Sequence, residues 1–162
     1  MPKTRSPPAE KDKDNWPLIK AVLKGHQGRD QIAAKYIQFS ASVFEEMLAL
    51  RMSSPLFRLT TGDAINTKVR FLNTDNSTLG LLVIKLDDTQ GKPVDEKVKS
   101  LMVIFNTSTK AQTFAYAKAS EYQLYPIQQS GVDEVVKTSK ADKNGFTVPA
   151  LSSAVFIKLS SD

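Results

Sequence analysis

The chain has 162 residues, 41% hydrophobic and 24% charged, which suits one modest domain with a real core. It has no cysteine, which excludes disulfides, thiolate metal sites and cysteine nucleophiles, and no apolar run near the ~20 residues that span a bilayer. Most of its net charge of +5 sits at the front: residues 1–35 hold eight Lys and Arg against four Asp and Glu, whereas residues 36–162 hold fourteen against thirteen. A nucleic-acid binder carries a basic stripe with interleaved aromatics on its folded body, and this body is near neutral.

Met1 to Asp14 is rich in Pro, Lys, Asp and Glu, has no apolar signal-peptide core, and reads as an extended or disordered arm. Asn15-Trp16-Pro17 looks like a helix start, with Asn15 as N-cap and Pro17 in the first turn. Leu18, Ile19, Val22 and Leu23 give that short segment an apolar face, and Gly25 and Gly28 close it. From Asp30 to Met52 apolar residues fall at Ile32, Tyr36, Phe39, Val43, Met47 and Leu50, spaced for one long amphipathic helix, with Phe44 and Leu48 widening the stripe. Ser53-Ser54-Pro55 stops it, because the residue before proline disfavours the helical region.

A helical turn is expected over Thr60–Asn66, capped by Asp63. Strands are expected at Val69–Asn73, Leu79–Leu86, Val98–Asn106, Gln112–Ala117, Tyr122–Ile127, Glu134–Thr138, Phe146–Val148 and Ala154–Leu159. Turn chemistry at Asp75-Asn76-Ser77, Thr89-Gln90-Gly91, Lys143-Asn144-Gly145 and Pro149 separates several of them. Short strands without intervening helices predict a mainly β fold, an antiparallel β-sandwich preceded by an N-terminal arm and one long helix. In the near-continuous apolar strand, Leu101, Val103 and Phe105 share one face and Met102 and Ile104 the other. Phe105 is expected to be fully buried there, and Asp88 to be an exposed turn residue.

Reactive constellations are sparse. The only histidine, His26, lies in a Gly-rich loop and cannot build a zinc site without cysteines. Asp87-Asp88 and Asp95-Glu96 are adjacent acids flanking a turn, which points them to opposite faces rather than into one glycosidase pocket. The glycines form no phosphate cradle. No metal site and no cofactor is expected. Trp16, the lone tryptophan, reads as an anchor for the arm in preference to a sugar-stacking platform.

The segments Pro7-Pro8-Ala9-Glu10, Asp14-Asn15-Trp16-Pro17-Leu18 and Phe44-Glu45-Glu46-Met47-Leu48-Ala49-Leu50-Arg51, running into Ser53-Ser54-Pro55-Leu56-Phe57-Arg58-Leu59, resemble the last part of pullulanases and limit dextrinases. These are α-1,6-glucosidases of glycoside hydrolase family 13. The resemblance continues through Val69–Thr74, Val103–Asn106, Tyr122–Gln128 and Phe146–Ala150, ends at Ala154-Val155-Phe156, and is most specific over Arg51–Leu59. It implies an α-amylase-type layout, in which a (β/α)₈ barrel does the chemistry and a β-sandwich follows. On that basis residues 1–29 are an arm with a short helical segment, residues 30–59 the last helix of a missing barrel, and residues 60–162 the C-terminal sandwich. The family's nucleophile, acid/base and stabilising carboxylates belong to earlier barrel strands, so no catalytic residue carries over. Met1–Ser6 does not resemble the barrel sequence expected before Pro7, which implies a start placed late in a longer coding sequence.

The function so implied is a non-catalytic structural module of a starch- or pullulan-debranching enzyme, with the catalytic barrel as its partner. The alternative is an α-glucan surface-binding module using Trp16, Tyr116, Tyr122 and Tyr125. Strand alternation lets only a subset of those tyrosines share a face. No nucleic-acid or membrane partner is expected. Self-association through the uncovered helix face is expected, and the compartment is left open, with a secreted or cell-surface parent enzyme as the family expectation.

Overall fold

The computed structural model describes residues 8–25, 30–75 and 78–160. His26 and the Asn76-Ser77 pair of the expected turn lie outside them. The described part of the arm is helical instead of extended: α1 spans Ala9–Asp12 and a 3₁₀ turn follows at Lys13–Asn15. Pro8 supplies the fixed φ that opens a helix, Glu10 and Asp12 favour its positive end, and the Lys11 and Asp12 amides donate to the Pro8 carbonyl. Helix α2 spans Trp16–Gly25, and α3 spans Asp30–Ser53, as the periodicity predicts.

Packing divides the chain into two units, Met1–Ala41 and Ser42–Asp162. The first contains α1, α2 and the front half of α3, and leaves Leu18, Val22, Tyr36 and Ile37 exposed. The second holds the back half of α3 and all the strands. The sequence reading set its boundary at residue 59/60, but packing joins residues 42–59 to the sheets because Leu50, Ser54 and Leu56 are buried there.

In the second unit α3 ends where Ser54 turns extended. The Ser54 hydroxyl accepts the Leu56 amide at 3.2 Å, which opens a 3₁₀ turn over Pro55–Arg58. Helix α4, Gly62–Lys68, is capped by Thr61, whose Oγ1 accepts the Ala64 amide at 3.2 Å. Asp63, the expected cap, sits inside the first turn.

Strands β1 (Val69–Phe71), β2 (Leu81–Asp87), β3 (Val98–Asn106), β4 (Gln112–Phe114), β5 (Gln123–Leu124), β6 (Lys140–Asp142), β7 (Gly145–Val148) and β8 (Ser152–Leu159) form two sheets. The larger has the order β1-β2-β3-β8-β5 and the smaller β4-β7-β6, with every pairing antiparallel. Gly145, at φ +133°, closes the β6–β7 hairpin. A Cβ there would lie 2.1 Å from the Phe114 carbonyl oxygen, so only glycine lets β4 approach.

One expected strand is absent and another is cut short. Val136–Thr138 is a 3₁₀ turn, because Asp133 Oδ1 accepts the Val135 and Val136 amides and curls the chain back. The Tyr122–Ile127 strand shrinks to β5, since Pro126 starts the short helix α5, Pro126–Gln129. From α5 the Gln128 side chain accepts the Val155 amide at 2.7 Å and donates to the Ser153 carbonyl at 2.9 Å, standing in for a strand partner of β8. Strand β6 was not expected, because Lys140-Ala141-Asp142 lacks the usual strand-forming residues.

The core lies between the sheets, where Val83, Met102, Ile104, Ala154 and Phe156 meet Phe146 and Val148. A second cluster lies on the outer face of the larger sheet, where Leu86, Leu101, Val155 and Ile157 pack under Leu50, Leu56 and Tyr125. The inward face of β3 is therefore Met102 and Ile104, at 0% exposure, while Phe105 stays 37% exposed. Phe105 thus departs from its expected full burial: the helical cover on that side stops before the end of β3.

Candidate functional site

Within the second unit the three candidate tyrosines divide between the two faces of the larger sheet. Tyr122 is 7% exposed, with its hydroxyl 2.6 Å from Ser100 Oγ, and burial pushes its phenol pKa up. Tyr116, half-buried, meets Tyr122 edge-on at 6.3 Å between ring centroids and leans on Phe146 at 5.6 Å. Tyr125 is 6% exposed on the opposite face of the larger sheet; it packs near Phe57 and bonds Ser53 Oγ at 2.7 Å. Trp16 belongs to the other unit and is half-buried. Stacking on a sugar needs an open ring face, and Tyr122 and Tyr125 spend theirs on the core.

The carboxylates are engaged as well. Asp88 is buried and pairs with Lys68 at 2.8 Å, both side chains being 3% exposed. It also accepts the Val94 and Asp95 amides, and Lys68 donates to the Gln90 carbonyl at 2.6 Å. Asp88 is therefore the hub of the β2–β3 loop, not the exposed turn residue expected. Asp95 accepts the Ser54 hydroxyl at 2.5 Å and the Lys97 and Val98 amides, which ties the same loop to the end of α3. Asp87 pairs with Lys85 at 2.6 Å. Burial opposes ionisation of both, yet that bond, with the Thr89 donors on Asp87, holds the Asp87 carboxyl below its ordinary range and Lys85 above its own. Among the described residues no group of three His, Asp or Glu side chains is placed to hold a metal ion.

What stands out in this unit is apolar. The outer face of the larger sheet, past its buried cluster, opens into a groove of about 410 Å³. Ile84, Val103 and Phe105 form its floor; Met47 of α3, Leu59 after the Pro55–Arg58 turn, and Ile65 of α4 form its walls. Antiparallel register continues the patch sideways, Phe71 lying opposite Ile84 and Leu82 opposite Phe105, both exposed. On α3 itself Phe44, Leu48 and Met52, at successive four-residue steps, form a second exposed apolar row. Sequence reasoning found that helix but credited it with one buried stripe. Its other apolar face was legible only as Phe44 and Leu48 widening the pattern.

Two stacked antiparallel sheets with a helix end against the outer face define a mainly β, sandwich-like domain. Residues 6–159 match the family described as alpha-1,6-glucosidases, pullulanase-type, C-terminal, and the chain belongs to that family. It is 37% identical to pullulanase 1, chloroplastic, of Arabidopsis thaliana over 94% of its own length and 34% identical to the pullulanase of Klebsiella pneumoniae over 69%. It spans only 17% and 11% of those two proteins. Ligand-free PulA from Klebsiella pneumoniae superposes with a TM-score of 0.71 at 31% identity, covering 77% of this chain and 12% of that one. The maltotriose complex of PulA from the same organism gives 0.67 at 32% identity, covering 74% and 13%.

Proposed function

We propose that the chain is a non-catalytic structural module of a starch- or pullulan-debranching α-1,6-glucosidase, and that it packs on the catalytic barrel of that enzyme. The observation that carries this reading is the engagement of its clustered acids. Asp87, Asp88 and Asp95 are each held by lysines, hydroxyls or backbone amides, whereas a glycosidase needs two carboxyls converging on one substrate cleft. The short span of the chain against its relatives supports the same conclusion. Purified chain incubated with pullulan or limit dextrin is expected to release no reducing ends above a buffer blank. Turnover abolished by substitution of one of its acids would contradict the proposal. The alternative, α-glucan binding through Trp16 or Tyr116, has less support because Tyr122 and Tyr125 turn inward; retention on insoluble α-glucan that is lost in Trp16→Ala would favour it.

A further inference from the structure

We propose that Asn144-Gly145, at the tip of the β6–β7 hairpin, is a self-modification site: its asparagine converts to aspartate and isoaspartate, and the isoaspartate form is a substrate for carboxyl methylation. The conversion consumes only water. A base removes the Gly145 amide proton, and that nitrogen attacks Asn144 Cγ. A C–N bond forms, the bond from Cγ to the amide nitrogen breaks, ammonia leaves, and a five-membered succinimide results. Water then opens the ring. Attack at Cγ gives aspartate; attack at the main-chain carbonyl leaves the chain running through the side chain, which is isoaspartate with a free α-carboxylate.

The sequence and the packing single out this position together. Asn144-Gly145 is the one Asn-Gly pair in the chain, and glycine sets no Cβ in the way of ring closure. Asn144 is exposed. Its side-chain amide, the group that must turn and then leave, bonds to none of the described residues, while its backbone amide donates to Asp142 Oδ1 at 2.7 Å. The other described asparagines differ. Asn73 Nδ2 donates to the Thr78 and Leu81 carbonyls, and Asn106 Nδ2 to those of Lys110, Val148 and Pro149. Asn15 and Asn66 are exposed but precede Trp16 and Thr67, whose side chains crowd the attacking nitrogen.

The hairpin has no slack for the product. Gly145 opens β7, the central strand of the smaller sheet, and a Cβ on it would already run into the Phe114 carbonyl oxygen. Isoaspartate lengthens the main chain by one atom just before this glycine and sets a new carboxylate beside that of Asp142. Conversion therefore shifts β7 and loosens Phe146 and Val148 in the core.

The full chain is aged at mildly alkaline pH, folded and in urea, and each asparagine is followed by peptide mass spectrometry. Isoaspartate is read as methyl transfer from S-adenosylmethionine by a protein-isoaspartate methyltransferase. In the folded chain the Asn144 peptide is expected to gain the mass difference between an acid and an amide at least tenfold faster than the Asn15 and Asn66 peptides, and faster as pH rises. Methyl acceptance grows in step and is lost in Asn144→Gln, whose ring closes far more slowly. The aged wild type unfolds at lower urea than the fresh chain, and aged Asn144→Gln does not. Conversion of Asn144 no faster than at Asn15 and Asn66, or seen only in urea, overturns the proposal. Methyl acceptance that persists in Asn144→Gln places the isoaspartate elsewhere and overturns it too. A fully converted chain with an unchanged midpoint refutes the claim that the modification reaches the smaller sheet.

Discussion

Asp88→Ala would remove one half of an ion pair whose side chains are each 3% exposed, and with it the acceptor of the Val94 and Asp95 amides. Leaving a buried lysine without its partner costs about 3–5 kcal/mol. The freed amides lie close enough to the surface for water to replace part of their bonds, so a total of about 4 kcal/mol is expected. Against the 5–15 kcal/mol that typically stabilise a domain, this is a large fraction. At a urea m-value of about 2 kcal/mol per molar, the unfolding midpoint falls by about 2 M. Lys68→Met costs somewhat less, about 3 kcal/mol, because Asp88 keeps its two amide donors. The double variant Lys68→Met with Asp88→Leu is less destabilised than the sum of its parts, since neither charge is then stranded. Urea melts followed by circular dichroism, with the exposed Glu96→Ala as control, read all four. A midpoint shift below about 0.5 M for Asp88→Ala, no larger than the control, would refute the claim that this pair organises the β2–β3 loop.

Truncating Ile104, fully buried between the sheets, is expected to cost about 4 kcal/mol, and Phe105→Ala, half open to the groove, about 2 kcal/mol. The reverse order in urea melts would place the covered face of β3 on the wrong side. Asp87 is held below its ordinary 3.8, so its contribution to stability is complete above that value and is lost as pH falls through the lower folded one. Lys85, held above 10.5, loses its contribution only as pH rises past that value. The stability gap between wild type and Asp87→Asn should therefore be flat from about pH 5 to 9 and close below about pH 3.5; an unchanged gap at about pH 2.5 contradicts the assignment. The Phe44, Leu48 and Met52 row predicts concentration-dependent association by sedimentation, reduced by Phe44→Ser with Leu48→Ser. A strictly monomeric wild-type chain would count against it.

Much of this architecture was legible in the sequence for identifiable reasons. Helix α3 announces itself by periodicity, and its end by Ser54-Pro55. Strand β3 announces itself by an unbroken apolar run, and the turn that leads into β7 by Lys143-Asn144-Gly145. What stayed hidden depends on contacts between distant residues. Lys68 and Asp88 look like surface charges until the fold sets them 2.8 Å apart. Gln128, just past the expected Tyr122–Ile127 strand, carries no signal until its side-chain amide bonds β8. The tyrosines share a composition with sugar platforms, and only packing tells that Tyr122 and Tyr125 face inward. The apolar patch around the groove had no local signature, because Phe71, Leu82 and Phe105 read as ordinary strand residues until register sets them on one face.

The central claim is that the chain stabilises a debranching enzyme without acting on the substrate itself. Heat inactivation of pullulan hydrolysis tests it most directly, comparing Klebsiella pneumoniae pullulanase that lacks the matched region with the chimera in which this chain replaces it. The truncated enzyme is expected to be inactive or to inactivate rapidly, and the chimera to regain a half-life at least tenfold longer. A chimera no more durable than the truncated enzyme, or pullulan cleavage by the isolated chain, would contradict it.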